Sequence, residues 1–191
     1  MSEFSRGLLV VISAPSGAGK TTLAHELLRR LPDSVRSLSS TTRPPRQTEI
    51  PGQDYDFISD EEFDSLENGN SFAESAVVHG YRYGTKISTI KKALDENKVL
   101  ILTIDVQGAT SIKENFPDAI TIFVAPPDFD VLETRLRKRG TESDSDIRRR
   151  LENARREIAL KDQFNFVVVN DRLDRAALEI ESIIRKTLSN S

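Results

Sequence analysis
The stretch Leu8-Leu9-Val10-Val11-Ile12-Ser13-Ala14-Pro15-Ser16-Gly17-Ala18-Gly19-Lys20-Thr21 decides the fold of this chain. Its first five residues are apolar and bounded by Ser, Pro and Gly, which predicts a short strand buried on both faces. From Thr21 to Leu31 the apolar residues fall at Leu23, Leu27, Leu28 and Leu31. That spacing is helical, and Pro32 ends it. Between strand and helix lies small-x-x-x-x-Gly-Lys-Thr, with Ala14 where the usual pattern has Gly. A turn of this kind builds an anion site from backbone. Gly17 and Gly19 let amides point inward around phosphate oxygens, and the helix N-terminus adds its dipole. Lys20 reaches the β- and γ-phosphates of ATP, and the Thr21 hydroxyl can ligate Mg²⁺. The ATP-binding set is therefore Ala14, Pro15, Ser16, Gly17, Ala18, Gly19, Lys20, Thr21 and the adjacent Thr22. Ala14 is expected to cost something if that position needs a left-handed backbone.

Outward from the loop, Val99 to Ile104, Ile120 to Val124 and Phe166 to Val169 read as three more buried strands. Helical patterns separate them at Ile87 to Glu96, Gln107 to Glu114, Asp128 to Lys138 and Ile147 to Leu160, and Asp174 to Leu188 follows. Alternating strands and helices predict an α/β fold, a P-loop NTPase-type parallel sheet flanked by helices. Residues 33–85 break this rhythm. They are polar, and hold short alternating segments such as Asp54 to Ile58 and Ser71 to Val78. Ser59 and Glu62 have capping-box spacing ahead of Phe63 and Leu66, which marks one short helix. The expected division is a core of 1–32 and 86–191 with a small β-rich insert at 33–85.

The bulk numbers narrow the setting. The chain has 191 residues, 37% hydrophobic and 30% charged, as in a globular protein of one main domain. Its net charge of −3 implies no general attraction to nucleic acid or anionic membrane. There is no cysteine, hence no disulfide or thiol chemistry. The run Leu8 to Ile12 is too short for a signal-peptide core, and no stretch approaches a membrane span. A cytoplasmic protein is expected, as a monomer or homodimer.

Several further segments carry a resemblance. Ser39-Ser40-Thr41-Thr42-Arg43-Pro44-Pro45-Arg46, Gly52-Gln53-Asp54-Tyr55-Asp56-Phe57, Tyr83-Gly84-Thr85, Ile104-Asp105-Val106-Gln107-Gly108 and Arg139-Gly140-Thr141-Glu142, in this order behind the loop, resemble the guanylate kinase family. The resemblance runs from Ser13 to Asn170. It implies transfer of the γ-phosphoryl group of ATP to GMP, a GMP-binding insert at 33–85, and an Arg-rich helical lid at about 135–155. Guanidinium groups pair bidentately with phosphate. The resemblance has Arg43 and Arg46, with Tyr55 and Tyr83, hold the GMP phosphate. It assigns guanine recognition to Glu74 and Asp105, with the Ser39 and Thr85 hydroxyls nearby. A carboxylate offers two acceptors to the guanine N1–H and amino group, whereas adenine presents a lone pair there.

Taken alone, these residues have plainer readings. Arg43 and Arg46 would be a solvated basic turn, Glu74 the solvent face of an alternating strand, and Asp105 an ordinary helix N-cap. The resemblance also places Arg135, Arg139 and Arg150 over the ATP phosphates, and Asn170 near adenine or ribose. Lys20, Arg43, Arg135 and Arg150 are the expected catalytic set. His25 and His79 read as structural. One departure stands out: the family carries an acid two positions before Asp105, and here that position is Thr103. Magnesium would then lean on Thr21, Asp105 and the phosphates. The competing readings are a P-loop kinase of another phosphorylated acceptor and a non-catalytic guanylate-kinase-like phosphopeptide-binding module. Such a module typically lacks the intact loop that is present here.

Overall fold
The computed structural model describes residues 6–47, 49–78, 80–137 and 144–189. In chain order its elements are β1 (Leu8–Ser13), α1 (Lys20–Arg30), β2 (Ser34–Arg36), β3 (Ser40–Thr41), β4 (Asp56–Phe57), α2 (Asp60–Asn68), β5 (Phe72–Val78) and β6 (Tyr81–Lys86). Then follow α3 (Ile87–Asp95), β7 (Val99–Thr103), α4 (Val106–Asn115), β8 (Ile120–Ala125), α5 (Phe129–Arg137), α6 (Asp144–Ala159), β9 (Phe166–Val169) and α7 (Leu173–Ser189).

All six residues of β1 are buried, because β1 is the middle strand of a five-stranded sheet ordered β2-β7-β1-β8-β9. Every pairing in it is parallel. Alternate side chains of β1 supply two cores. Leu8, Val10 and Ile12 pack with Leu23 and Leu27 of α1, Leu132 and Leu136 of α5, and Ile180 and Ile184 of α7. Leu9 and Val11 pack with Ile90 of α3 and Ala109 and Ile112 of α4. Helices thus cover both faces, which is why the strand reads as a continuous apolar run rather than an alternating one. The sheet is the α/β fold read from the sequence.

A second, four-stranded sheet is ordered β4-β3-β6-β5. β3 pairs parallel with β4, whereas β6 lies antiparallel to both β3 and β5. Beside it runs α2, opened by Ser59, whose side chain accepts from the Glu62 amide. Asp60, Glu61 and Glu62 in its first turn suit the helix dipole. One correction concerns the start of the insert. Ser34–Arg36, inside the stretch read as insert, forms β2 on the edge of the main sheet. It is a half-exposed edge strand of three residues, with no apolar run for periodicity to detect. Among the described residues no helix is long and apolar enough to cross a membrane.

Candidate active site
The loop after β1 has the geometry its glycines suggest. Gly17 and Gly19 have φ of +91° and +92°, values that L side chains rarely adopt. Ala14 is buried and is not among the residues with positive φ, so the expected strain at that position does not arise. α1 opens on Gly19 with no side-chain cap and no acid in its first turn. Its first amides are therefore offered outward rather than satisfied internally. The Lys20 ammonium folds back over the loop, donating to the carbonyls of Ala14 (3.2 Å) and Ile104 (3.1 Å). Burial pulls its pKa below the ordinary lysine value, while the Glu157 and Asp105 carboxylates act against that shift.

Two residues distant in sequence, Asn170 and Arg150, contact this loop, and a third, Arg135, holds Asn170. Asn170, at the end of β9, is buried. Its side-chain amide donates to the Ala18 carbonyl at 2.8 Å, and its backbone N–H donates to the Ala125 carbonyl at the end of β8 at 2.8 Å. A Cβ on Gly19 would meet that side-chain amide nitrogen at 2.7 Å. The Asn170 carbonyl in turn accepts from the Arg135 guanidinium on α5 at 3.2 Å. On α6, Arg150 donates to the Ser16 hydroxyl at 3.1 Å. Ile147, Ala154 and Glu157 share that face of the helix at spacings of three to four residues, and Ile147 and Ala154 are buried. Arg150 thus reaches the loop directly and Arg135 through Asn170, whereas Arg139 lies outside the described residues, as does His79.

A cleft of about 230 Å³ opens beside the loop, lined by Lys20 and Thr21 from α1, Ser39 and Tyr55, Glu74 and Tyr83 from the small sheet, and Thr103 and Asp105 from the end of β7. It lies at the carboxyl ends of parallel strands, where open α/β sheets bind ligands. A larger hollow of about 380 Å³ near Lys113 and Phe164 contains none of the loop residues.

Glu74 departs from the alternating-strand reading. It is 6% exposed, and the register of β5 on β6 shifts between Phe72 and Glu74. The bulge re-aims the side chain inward. Its carboxylate accepts the Thr85 hydroxyl at 2.6 Å, and a Cβ on Gly108 would sit 2.7 Å from its Oε2. Burial, with Asp105 adding to it, pushes Glu74 up to about 7, against the Thr85 hydrogen bonds. Asp105 does cap α4, accepting the Gly108 amide at 2.8 Å, while also lining the cleft. Its plain reading and its proposed role coexist.

The basic turn is assembled differently from expectation. Arg43 is buried, not solvated, and its guanidinium donates to Glu49 (2.8 Å), the Tyr83 hydroxyl (3.1 Å) and the Pro44 carbonyl (2.8 Å). The rings of Tyr55 and Phe57 lie 5.4 and 5.7 Å from it. Arg46 is exposed, and its backbone N–H donates to Glu49. Neither arginine is among the residues lining the cleft. Thr85 and Ser40 are buried behind it, and Thr22 faces solvent on α1.

Sequence reasoning missed three residues here. Arg36 of β2 lines the cleft; its strand was hidden within the insert. Glu49 holds Arg43, a contact six residues apart with no periodic signal. Glu157 is half-buried, with burial the main cause of its raised pKa, and is felt by Lys20 and Asp105. Its spacing from Arg150 on α6 was the signal that could have found it.

The comparisons with known proteins agree with one another. The family model for guanylate kinase matches residues 6–187. A guanylate kinase of Anaeromyxobacter dehalogenans is 51% identical over 181 residues, covering 94% of this chain and 80% of that protein. One from Syntrophotalea carbinolica is 48% identical over 178 residues, covering 93% and 85%. The crystal structure of guanylate kinase from Anaplasma phagocytophilum is similar with a TM-score of 0.78 at 32% identity, covering 95% of this chain and 86% of that one.

Proposed function
The chain belongs to the guanylate kinase family, and from that premise we propose how its cleft divides the reaction between two nucleotides. It is a nucleoside monophosphate kinase that transfers the γ-phosphoryl group of ATP to GMP, giving ADP and GDP. The observation that carries the division is one cleft lined both by Lys20 of the loop and by the buried Glu74 of the small sheet.

The donor end is the loop Ala14 to Thr21. Its inward amides, the uncapped start of α1 and Lys20 take the ATP phosphates, with Arg150 braced against the same loop and Arg135 against Asn170, which holds it. The acceptor end is Glu74 with Asp105, whose carboxylates take the guanine N1–H and amino group. Ser39, Tyr55 and Tyr83 line the path of the GMP phosphate. Arg43 reaches that phosphate by exchanging Glu49 for it, and Arg46 swings in from solvent.

The acceptor oxygen is already anionic, so no general base is needed. The protein's task is in-line positioning and charge neutralisation. Lys20 is suited to this because it is half-buried and held by two carbonyls rather than by a close carboxylate. Mg²⁺ fits a site of this kind. Thr21 and Asp105 reach the cleft, and among the described residues no three His, Cys, Asp or Glu side chains form a metal cage. The ion would enter with the nucleotide, held by Thr21 and the phosphates, and when bound it neutralises phosphate charge. A coupled ADP-release assay with GMP, AMP, UMP and CMP tests the assignment. Release with GMP alone is the expected result; release with none would replace it by the binding-module reading, and release with another acceptor by a kinase of that acceptor.

A further inference from the structure
Arg36 is the last residue of β2, opposite Ile101 of β7. The next amide, Ser37 N–H, still donates to the Ile101 carbonyl at 2.9 Å. β7 itself ends at Thr103, two residues on. Arg36 therefore stands at the carboxyl edge of the main sheet, where Thr103, Ile104 and Asp105 enter the cleft. Strand alternation sends Val35 to solvent, at 37% exposed, and Arg36 to the opposite face. There it lines the cleft beside Lys20, Thr21, Ser39 and Tyr55.

A guanidinium carries five N–H donors and stays charged. In the insert such groups are matched: Arg43 by Glu49, and Arg82 by Asp64 and Glu67. Among the described residues no hydrogen bond or ion pair engages the side chain of Arg36. An unmatched cation in a cleft that takes two phosphates calls for an anion from outside.

Position along β6 says which one. Tyr83 and Thr85 lie two residues apart on the same face of that strand. Thr85 bonds Glu74 at the base end, so Tyr83 marks the other end. Tyr55 packs edge-on against Tyr83 at 5.9 Å, and Arg36 lines the cleft on that side. Burial raises the Tyr55 hydroxyl above its ordinary value, and the charge of Arg36 is one of the influences acting the other way.

We propose that Arg36 is a further binding residue for the phosphate of the acceptor nucleotide, supplied by the core sheet rather than by the insert. The inference rests on the GMP reading of the cleft. It gives the acceptor phosphate one cation already in place before Arg43 leaves Glu49.

The test compares wild type with Arg36→Ala, Arg36→Gln and Arg36→Lys, using steady-state kinetics and calorimetric titration with GMP, guanosine and ATP. For R36A the Kd and KM for GMP rise about tenfold or more, the scale of a charge-assisted hydrogen bond. Guanosine, which lacks the phosphate, and ATP change less than about twofold on the same scale. Turnover at saturating GMP falls less than KM rises. Arg36→Lys recovers part of the loss by keeping the charge. Arg36→Gln keeps the stem but not the charge, and behaves as R36A does. GMP binding unchanged in R36A overturns the proposal. So does an equal loss of guanosine, which indicates a collapsed base site, or a loss confined to ATP, which moves the contact to the donor phosphate. Should R36A melt early, R36Q and R36K carry the same comparison. A wild-type protein that fails to phosphorylate GMP would instead overturn the reading beneath the proposal.

Discussion

At the phosphate loop the groups that meet an anion are main-chain amides, set by Gly17 and Gly19 at φ near +90° and by a helix that opens without a cap. Across the cleft the groups offered are side chains, Ser39, Tyr55, Glu74 and Tyr83, carried by or beside a small sheet whose strands β3 and β4 are two residues long. The loop grows from β1, buried throughout, and is braced by Arg150 and by Asn170, which Arg135 holds. Arg43 and Glu74 of the insert instead find partners within the protein. Arg43 is held by Glu49 and Glu74 by Thr85. A preorganised backbone site has little left to rearrange on binding, whereas paired side chains must exchange one partner for another. Changes to the loop should therefore strike turnover, and changes across the cleft should strike one substrate at a time.

The largest expected effect is at Lys20. Lys20→Met keeps the length of the stem and removes the charge proposed to meet the transferring phosphoryl group. Turnover should fall by about 10³-fold or more, the scale for losing a preorganised electrostatic contact. The fold should remain, because the side chain's two carbonyl contacts are offset by the burial cost of its charge. Circular dichroism melting and the coupled assay measure the two halves of that statement. Turnover like that of wild type would break the contrast at its strongest point.

Glu74→Gln is next. The amide keeps one acceptor but turns an N–H toward a guanine edge that offers donors. GMP should weaken by about a hundredfold, as when a polar pocket loses its match, while ATP stays within about twofold. Equal losses for both nucleotides would mean the small sheet and the loop are not separable.

A pH series sharpens the same point with a smaller effect. Burial pushes Glu74 up to about 7 from 4.5, and its proposed contact with guanine needs the carboxylate. Guanosine is the suitable probe, because the phosphate of GMP itself titrates near about pH 6. Its affinity should rise about tenfold from pH 6 to pH 8, and binding near neutrality should release a proton. The stability term has the opposite sign. Between about 4.5 and about 7 the folded protein holds a proton that the unfolded chain has lost. Stability therefore drops as pH rises through that window. Both trends should flatten in Glu74→Gln; a guanosine pH profile unchanged by that substitution would remove Glu74 from guanine recognition.

The same contrast explains what could be read in advance. The loop was legible because it is local: glycines, a lysine and a flanking strand and helix follow one another between Leu8 and Arg30. β1, β7 and β8 were legible because burial on both faces leaves an apolar run. Glu74 was not legible from periodicity, since a bulge breaks the alternation that assigned it to solvent. Only resemblance pointed to it. β2 escaped because three half-exposed edge residues have no pattern, and Arg36 escaped with it. The pairing of Arg43 with Glu49 depends on how a turn with two prolines closes, which spacing does not encode. Ala14 was misjudged for a related reason, because the positive φ values fall at Gly17 and Gly19, not at the first position.

The smallest expected effect tests whether the donor half is a backbone site throughout. The resemblance placed Asn170 near adenine or ribose, yet its amide nitrogen is spent on the Ala18 carbonyl inside the loop. If its main role is to hold that carbonyl, and with it the amides on either side, Asn170→Ala loses one buried hydrogen bond. That is a net effect of about 1 kcal/mol, or about fivefold in affinity. The loss should be the same for ATP and for inorganic tripolyphosphate, which has no base, and GMP should be unaffected. Competition titrations with both ligands measure it. A loss seen with ATP but not with tripolyphosphate would show that Asn170 reads the adenosine part directly. The donor half would then also recognise its nucleotide through a side chain, and the difference between the two sides of the cleft would be one of degree.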